Sequence, residues 1–112
     1  MTSVYESLDN ILIVSLEGKL QSSNAAETEA EILKRLGQHN LLLLDLGLLD
    51  YISSAGLRVV LVAAKRLKQS AGKMVLCGIR PSIREVFDIS GFLTILDVVE
   101  NREQALARLQ AG

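Results

Sequence analysis

Four consecutive leucines, Leu41 to Leu44, stand between Asn40 and Asp45. A strand with one wet face alternates apolar and polar side chains. An unbroken apolar run of this length reads instead as a strand buried on both faces, within a sheet that helices cover. The chain continues Asp45-Leu46-Gly47-Leu48-Leu49-Asp50-Tyr51-Ile52-Ser53-Ser54-Ala55-Gly56-Leu57-Arg58, and from Leu57 to Ala71 the apolar residues recur at helical spacing. Two adjacent serines and a small-residue pair therefore sit where a buried strand hands over to a helix. Open α/β sheets meet ligands and partners at the carboxyl ends of their strands. A helix start there turns free N–H groups and a positive dipole end outward. This corner is the candidate functional site.

The other segments build a frame around it. Val4–Leu8 and Ile11–Leu16 read as strands joined by a tight turn at Asp9-Asn10. Gly18-Lys19-Leu20 leads into a polar loop, Gln21-Ser22-Ser23-Asn24. Asn24 with Glu27 resembles a capping box, which predicts a helix from Ala25 to a stop at Gly37. Its expected inward residues are Ala26, Ala30, Ile32, Leu33 and Leu36. The helix after the serines should bury Leu57, Val60, Leu61, Ala64 and Leu67, with Val59, Val62 and Ala63 widening the arc and Gly72 ending it. Lys73–Gly78 reads as a strand. Pro81 opens a helix through Ile89 that turns Ile83, Val86 and Phe87 inward, and Ser90-Gly91 closes it. Ile95–Val99 is a last strand. Asn101 and Gln104 cap a terminal helix that buries Ala105, Leu106 and Leu109.

This order, ββαβαβαβα, predicts an α/β fold: a small mixed sheet, an opening hairpin followed by parallel βα units, packed with about four helices. A single domain over residues 1–112 is expected, since that length supports one core. The loops at Gln21, Ser53 and Arg80 all follow strands and should gather at one edge of the sheet. The net charge is −1, with both signs spread along the chain. That excludes a basic nucleic-acid surface, and no partner of that kind is expected. No apolar run approaches a membrane span and no segment reads as a secretion signal, so a cytoplasmic protein without direct membrane insertion is expected. Cys77 is the single cysteine, so neither an internal disulfide nor a cysteine-built zinc site is available.

The corner admits catalytic readings and structural ones. The one histidine, His39, precedes the leucine strand, whereas Ser54 lies beyond its other end. That strand spans ~20 Å at roughly 3.3 Å per residue, so a Ser–His hydrogen bond is out of reach. Gly-x-Ser-x-Gly is absent too. His39 reads as an exposed loop residue, and no catalytic residue is expected. Asp45 and Asp50 lack a third ligand nearby, so no metal is expected; one should bond loop N–H groups and the other be exposed. No phosphate-cradling glycine motif is present and no cofactor is expected. Lys65 to Lys73 reads as a solvated helix end. Ser53 and Ser54 serve as N-cap candidates. A serine at a helix start is also exposed, and a phosphate there would meet free N–H groups without melting the helix.

At this point the residues resemble a known family. Tyr51-Ile52-Ser53-Ser54-Ala55-Gly56-Leu57-Arg58, after Asp45-Leu46 and before a helix ending Ala64-Lys65-Arg66-Leu67, resembles the STAS-domain anti-sigma factor antagonists of bacteria. Gly18-Lys19-Leu20 with Asn24-Ala25, and Val86-Phe87-Asp88-Ile89-Ser90-Gly91-Phe92, extend the likeness over nearly the whole chain. The resemblance implies a STAS-like fold and places the phosphoacceptor at Ser54. It implies a partner surface from Gln21, Ser22, Ser23, Asn24, Ser53, Ala55, Gly56, Arg58, Gly91 and Phe92. Ser53 stands where the family's motif commonly has Asp, Ala55 where it has a hydroxyl residue, and Gln21 where it has an acid. The Ser53 and Gln21 departures each remove a negative charge from beside Ser54.

The implied function is partner switching, not catalysis. The unphosphorylated protein, a monomer when free, would bind an anti-sigma factor that is also a serine kinase of the histidine-kinase-like ATPase fold, releasing sigma. Phosphorylation of Ser54 would switch it off, and a metal-dependent serine phosphatase would reset it. Two alternatives stand beside this: a structural STAS subunit of a transporter or other signalling complex, and a stand-alone nucleotide-binding domain.

Overall fold

The computed structural model describes residues 1–37 and 39–111. Its longest strand, β2 (Ile11–Leu20), explains the layout. On one side β2 pairs antiparallel with β1 (Thr2–Leu8), in register from Leu8↔Ile11 to Thr2↔Glu17. Asp9, at φ 54°, turns the two-residue loop between them as expected. On its other side β2 takes two partners in succession, both parallel. Its first half pairs with β3 (Leu41–Asp45), and after Gly18 it pairs with β4 (Leu49–Ile52). β5 (Lys73–Cys77) and β6 (Asp97–Val99) extend the sheet beyond β3, giving the order β1-β2-β3-β5-β6 with β4 at the far end of β2.

The leucine run is buried on both faces. Leu42 and Leu44 join one core with α1 (Ala25–Leu36), α2 (Ser54–Gln69) and α3 (Pro81–Ile89). Leu43 joins another with Ile11, Ile13, Val75, Cys77 and, from α4 (Arg102–Gln110), Ala105 and Leu109. Three helices cover one face and α4 covers the other. Among the described residues no helix is long and apolar enough to cross a membrane.

Several boundaries differ from the sequence expectation, each for a tertiary reason. β2 does not stop at Leu16 but runs on to Leu20, because β4 replaces the partners that Gly18 leaves behind. β4 itself was expected to be loop. α1 turns Ala25, Thr28, Ile32 and Leu36 inward, while Ala26 and Ala30 are exposed and Leu33 is half-buried. Thr28 can be buried because its hydroxyl donates to the Asn24 carbonyl at 2.8 Å, which satisfies the polar group and rotates the stripe. α2 starts at Ser54, three residues before Leu57.

Beyond α2, Ala71 takes the left-handed turn at φ 58°. Gly72 answers a different need, since a Cβ there would lie 2.4 Å from the Asn40 carbonyl oxygen. The last strand is shorter than expected. Phe92–Thr94 forms a 3-10 turn, and Ile95 is 71% exposed ahead of β6. The terminal cap is as expected, with the Asn101 Oδ1 accepting from the Gln104 N–H at 2.9 Å.

Candidate functional site

The corner between β4 and α2 is fastened to the end of β2. The Ser53 N–H donates to the Leu20 carbonyl at 2.9 Å, holding Ser53 extended. Its hydroxyl oxygen then accepts from the Gly56 N–H at 3.2 Å, so Ser53 is the N-cap of α2. Ser54 is the first helical residue. It is exposed, and among the described residues its hydroxyl has no hydrogen-bond partner, because Ser53 has already satisfied the cap. The two serines, equivalent as cap candidates by sequence, thus have separate roles.

Gly56 was assigned to the partner surface, but it is buried. A Cβ there would meet the Leu20 carbonyl oxygen at 2.8 Å and the Ile52 Cγ1 at 2.8 Å. Gly56 therefore lets α2 approach β2 and β4 closely, and it positions the serines rather than offering surface. Ala55 is half-buried against the main core, and Arg58 is exposed one turn along.

The loop after β2 lies alongside. Asn24 does not cap α1 with its side chain as the Asn24–Glu27 pattern suggested. Its Oδ1 accepts from the Gln21 N–H at 2.9 Å, and its Nδ2 donates to the Lys19 carbonyl at 2.9 Å. Both ends of the amide are spent bracing residues 19–24, which leaves Ser22 and Ser23 exposed. Between α1 and α2 runs a cleft of about 270 Å³, floored by Ala25, Ala26, Ala55 and Val59 and rimmed by Ser22, Glu29 and Arg58. A larger depression of about 550 Å³ lies at the opposite end of α2, between Leu61, Lys65, Lys68 and Ile95.

The Arg80 loop joins the same edge. Arg80 donates from Nε to the Gly47 carbonyl at 2.9 Å and pairs with Asp50. Asp50 is thus exposed but engaged. Asp45 bonds a loop N–H as expected, Gly47 N at 2.9 Å, and its other oxygen accepts from Arg102 Nε of α4 at 2.7 Å. The hydrogen bond to Asp45 holds the Arg102 pKa above its ordinary value. Gly91 and Phe92 lie at the other end of α3 from the Arg80 loop. They follow α3 and lead into the 3-10 turn ahead of β6, with Phe92 half-buried against the main core.

Among the described residues neither corner serine has a histidine partner. His39 is half-buried, not a free loop residue. Its Nε2 lies 3.0 Å from the Ser7 hydroxyl and its Nδ1 3.0 Å from the Leu36 carbonyl, beside the start of β3. Among the described residues no three His, Cys, Asp or Glu side chains converge as metal ligands. Burial, with the Asp45 carboxylate adding, pushes the Cys77 thiol up to about 12, which removes it as a nucleophile at neutral pH.

Sequence reasoning missed Tyr51, Glu29 and Val59 as contributors to this surface. Tyr51 on β4 is 48% exposed just ahead of the serines, because β4 turns Leu49 and Ile52 inward. Glu29 and Val59 enter the cleft from facing helices. An aromatic beside the motif was a readable signal for Tyr51. Nothing local marked Glu29, whose place depends on how α1 packs on α2.

The comparisons agree with this architecture. The STAS domain family model matches residues 3–105. The chain is 49% identical, over 113 aligned residues, to BtrV of Bordetella bronchiseptica, whose name places it among anti-sigma factor antagonists. That alignment covers 100% of this chain and 97% of BtrV. A crystal structure from Thermotoga maritima, of a protein named in the same way, superposes with a TM-score of 0.92 at 18% identity, covering 96% of this chain and 94% of that one. The Bacillus cell fate determinant SpoIIAA, in its phosphorylated form, superposes with a TM-score of 0.73 at 23% identity, covering 96% and 98%. Those structural likenesses show the shared fold. With a family match over most of its length, the chain belongs to the STAS domain family, beside relatives named as anti-sigma factor antagonists.

Proposed function

We propose that this protein is an anti-sigma factor antagonist of a partner-switching system, acting in the cytoplasm by binding and modification rather than by catalysis. Unmodified, it binds an anti-sigma factor that is also a serine kinase, and sigma is released. The kinase then transfers the γ-phosphoryl group of ATP to the Ser54 oxygen, which loses its proton while ADP leaves. A metal-dependent phosphatase hydrolyses the phosphate and resets the chain.

One observation carries this reading. Ser53 supplies the helix cap, so the Ser54 hydroxyl is exposed and the fold does not use it. A phosphate at that position adds roughly −1.5 to −2 charge beside a helix start that tolerates it. The surface changes and the fold does not. Desolvating such a charge against a surface without a partner for it costs several kcal/mol, enough to reverse micromolar binding. The partner surface comprises Ser54, Ala55, Arg58, the exposed Ser22 and Ser23, and Tyr51, a residue type that often anchors interfaces.

The test is incubation with the cognate kinase and ATP, followed by phosphate mapping by mass spectrometry. Phosphate is expected on Ser54. Ser54→Ala should bind the kinase whether or not ATP is present, and Ser54→Glu at least tenfold more weakly. Phosphate elsewhere or nowhere would remove the switch, and binding indifferent to Ser54→Glu would favour a structural STAS subunit.

A further inference from the structure

Arg58 lies one turn beyond Ser54 on α2. Residues four apart share a helix face, with Cβ atoms about 6 Å apart. Helical side chains also lean toward the N-terminus, which carries the Arg58 side chain back over the turn that begins at Ser54. Both residues are exposed. Arg35, Arg80, Arg102 and Arg108 each hold a carboxylate. Among the described residues Arg58, like Arg66 and Arg84, holds none; Glu29, across the cleft, is not within ion-pair distance. The first turn of α2 contains no acid, and Ser53 and Gln21 are neutral. Among the described residues no carboxylate is paired with the Arg58 guanidinium.

We propose that Arg58 receives the phosphate on Ser54 through charge-assisted, bidentate hydrogen bonds within the same chain. This rests on the reading of Ser54 as phosphoacceptor and adds the residue that reads the modification. In the unmodified protein Arg58 is a basic rim on the cleft between α1 and α2, open to an acidic group of the partner. In the phosphorylated protein it is drawn onto the phosphate, so one modification adds a negative charge and withdraws a positive one.

The experiment installs phosphoserine at position 54 during translation of the full chain, with Arg58 intact and with Arg58→Gln, and follows the phosphate by 31P NMR through a pH titration. Its second ionisation should fall about half a pH unit lower with Arg58 intact, with R58K in between, and the gap should shrink in ~1 M salt. The loss of kinase binding on phosphorylation should also be smaller in R58Q. Coincident titrations of the intact and R58Q proteins would overturn the pairing, and an equal loss of binding would overturn its part in the switch. Because the phosphate is installed without the kinase, a kinase that ignores Ser54 would reject the proposed function and leave the titration standing as a separate result.

Discussion

Gly56 governs the geometry of the corner more than either serine does. Its missing side chain leaves room for the Leu20 carbonyl, and that carbonyl also accepts from the Ser53 N–H. Gly56→Ala would gain helix propensity, roughly 1 kcal/mol, but a backbone oxygen at 2.8 Å cannot yield as a flexible side chain would. A net destabilisation of about 1–2 kcal/mol is expected, read as a lower urea midpoint with an unchanged slope. An unchanged midpoint would show that the first turn of α2 moves freely. The serines divide their work at the same scale. Ser53 is engaged at both its N–H and its hydroxyl, whereas Ser54 stands free at the surface. Sequence spacing marked both as cap candidates. Only the hydrogen bonds distinguish them.

At the scale of elements, β4 and α4 attach the corner to the rest of the molecule. β4 is short and only half buried, and it forms because β2 outlasts β3 and offers unpaired backbone beyond Gly18. α4 is held to the other side by Arg102, which bonds Asp45 at the end of β3, while Asp45 also holds the Gly47 N–H in the turn before β4. Asp45→Asn keeps the shape but removes the charge. Since Arg102 is partly exposed, solvent screens the pair, and a loss of about 1 kcal/mol is expected. Hydrogen exchange should locate it, with amide protection falling in α4 and in the turn at Gly47 while α1 is unchanged. A uniform fall across the chain would refute that local coupling.

For the molecule as a whole, one buried group links folding to alkaline pH. The folded Cys77 thiol is pushed from an ordinary value of 9.0 to about 12, mainly by burial. Between those values the native state keeps a proton that the unfolded chain has released. Stability should therefore be unaffected by this group below pH 9 and fall as pH rises above it, by up to about 1.4 kcal/mol per pH unit. Urea unfolding at pH 8 and pH 10 checks this against Cys77→Ala, which has no thiol to titrate. The wild-type chain should lose about 1 kcal/mol more than the variant between the two conditions. Equal losses would mean that the thiol ionises as freely in the folded protein as in the unfolded one.

Periodicity and punctuation alone determined the α/β class, the opening hairpin, the buried leucine strand, the four helices and the exposed start of α2. Each is a local consequence of side-chain type along the chain: a double-faced apolar run, a helical stripe, a cap, a glycine stop. The motif around Ser54 also carried the family. What the tertiary structure decided is everything that depends on distance between remote segments. β4 exists because β2 offers it a partner. Thr28 is buried because Asn24 supplies a carbonyl. Asn24 braces a loop instead of capping a helix, and Gly56 is required because Leu20 passes close by. Local pattern records what a residue prefers, but only the packed chain settles which neighbour it meets.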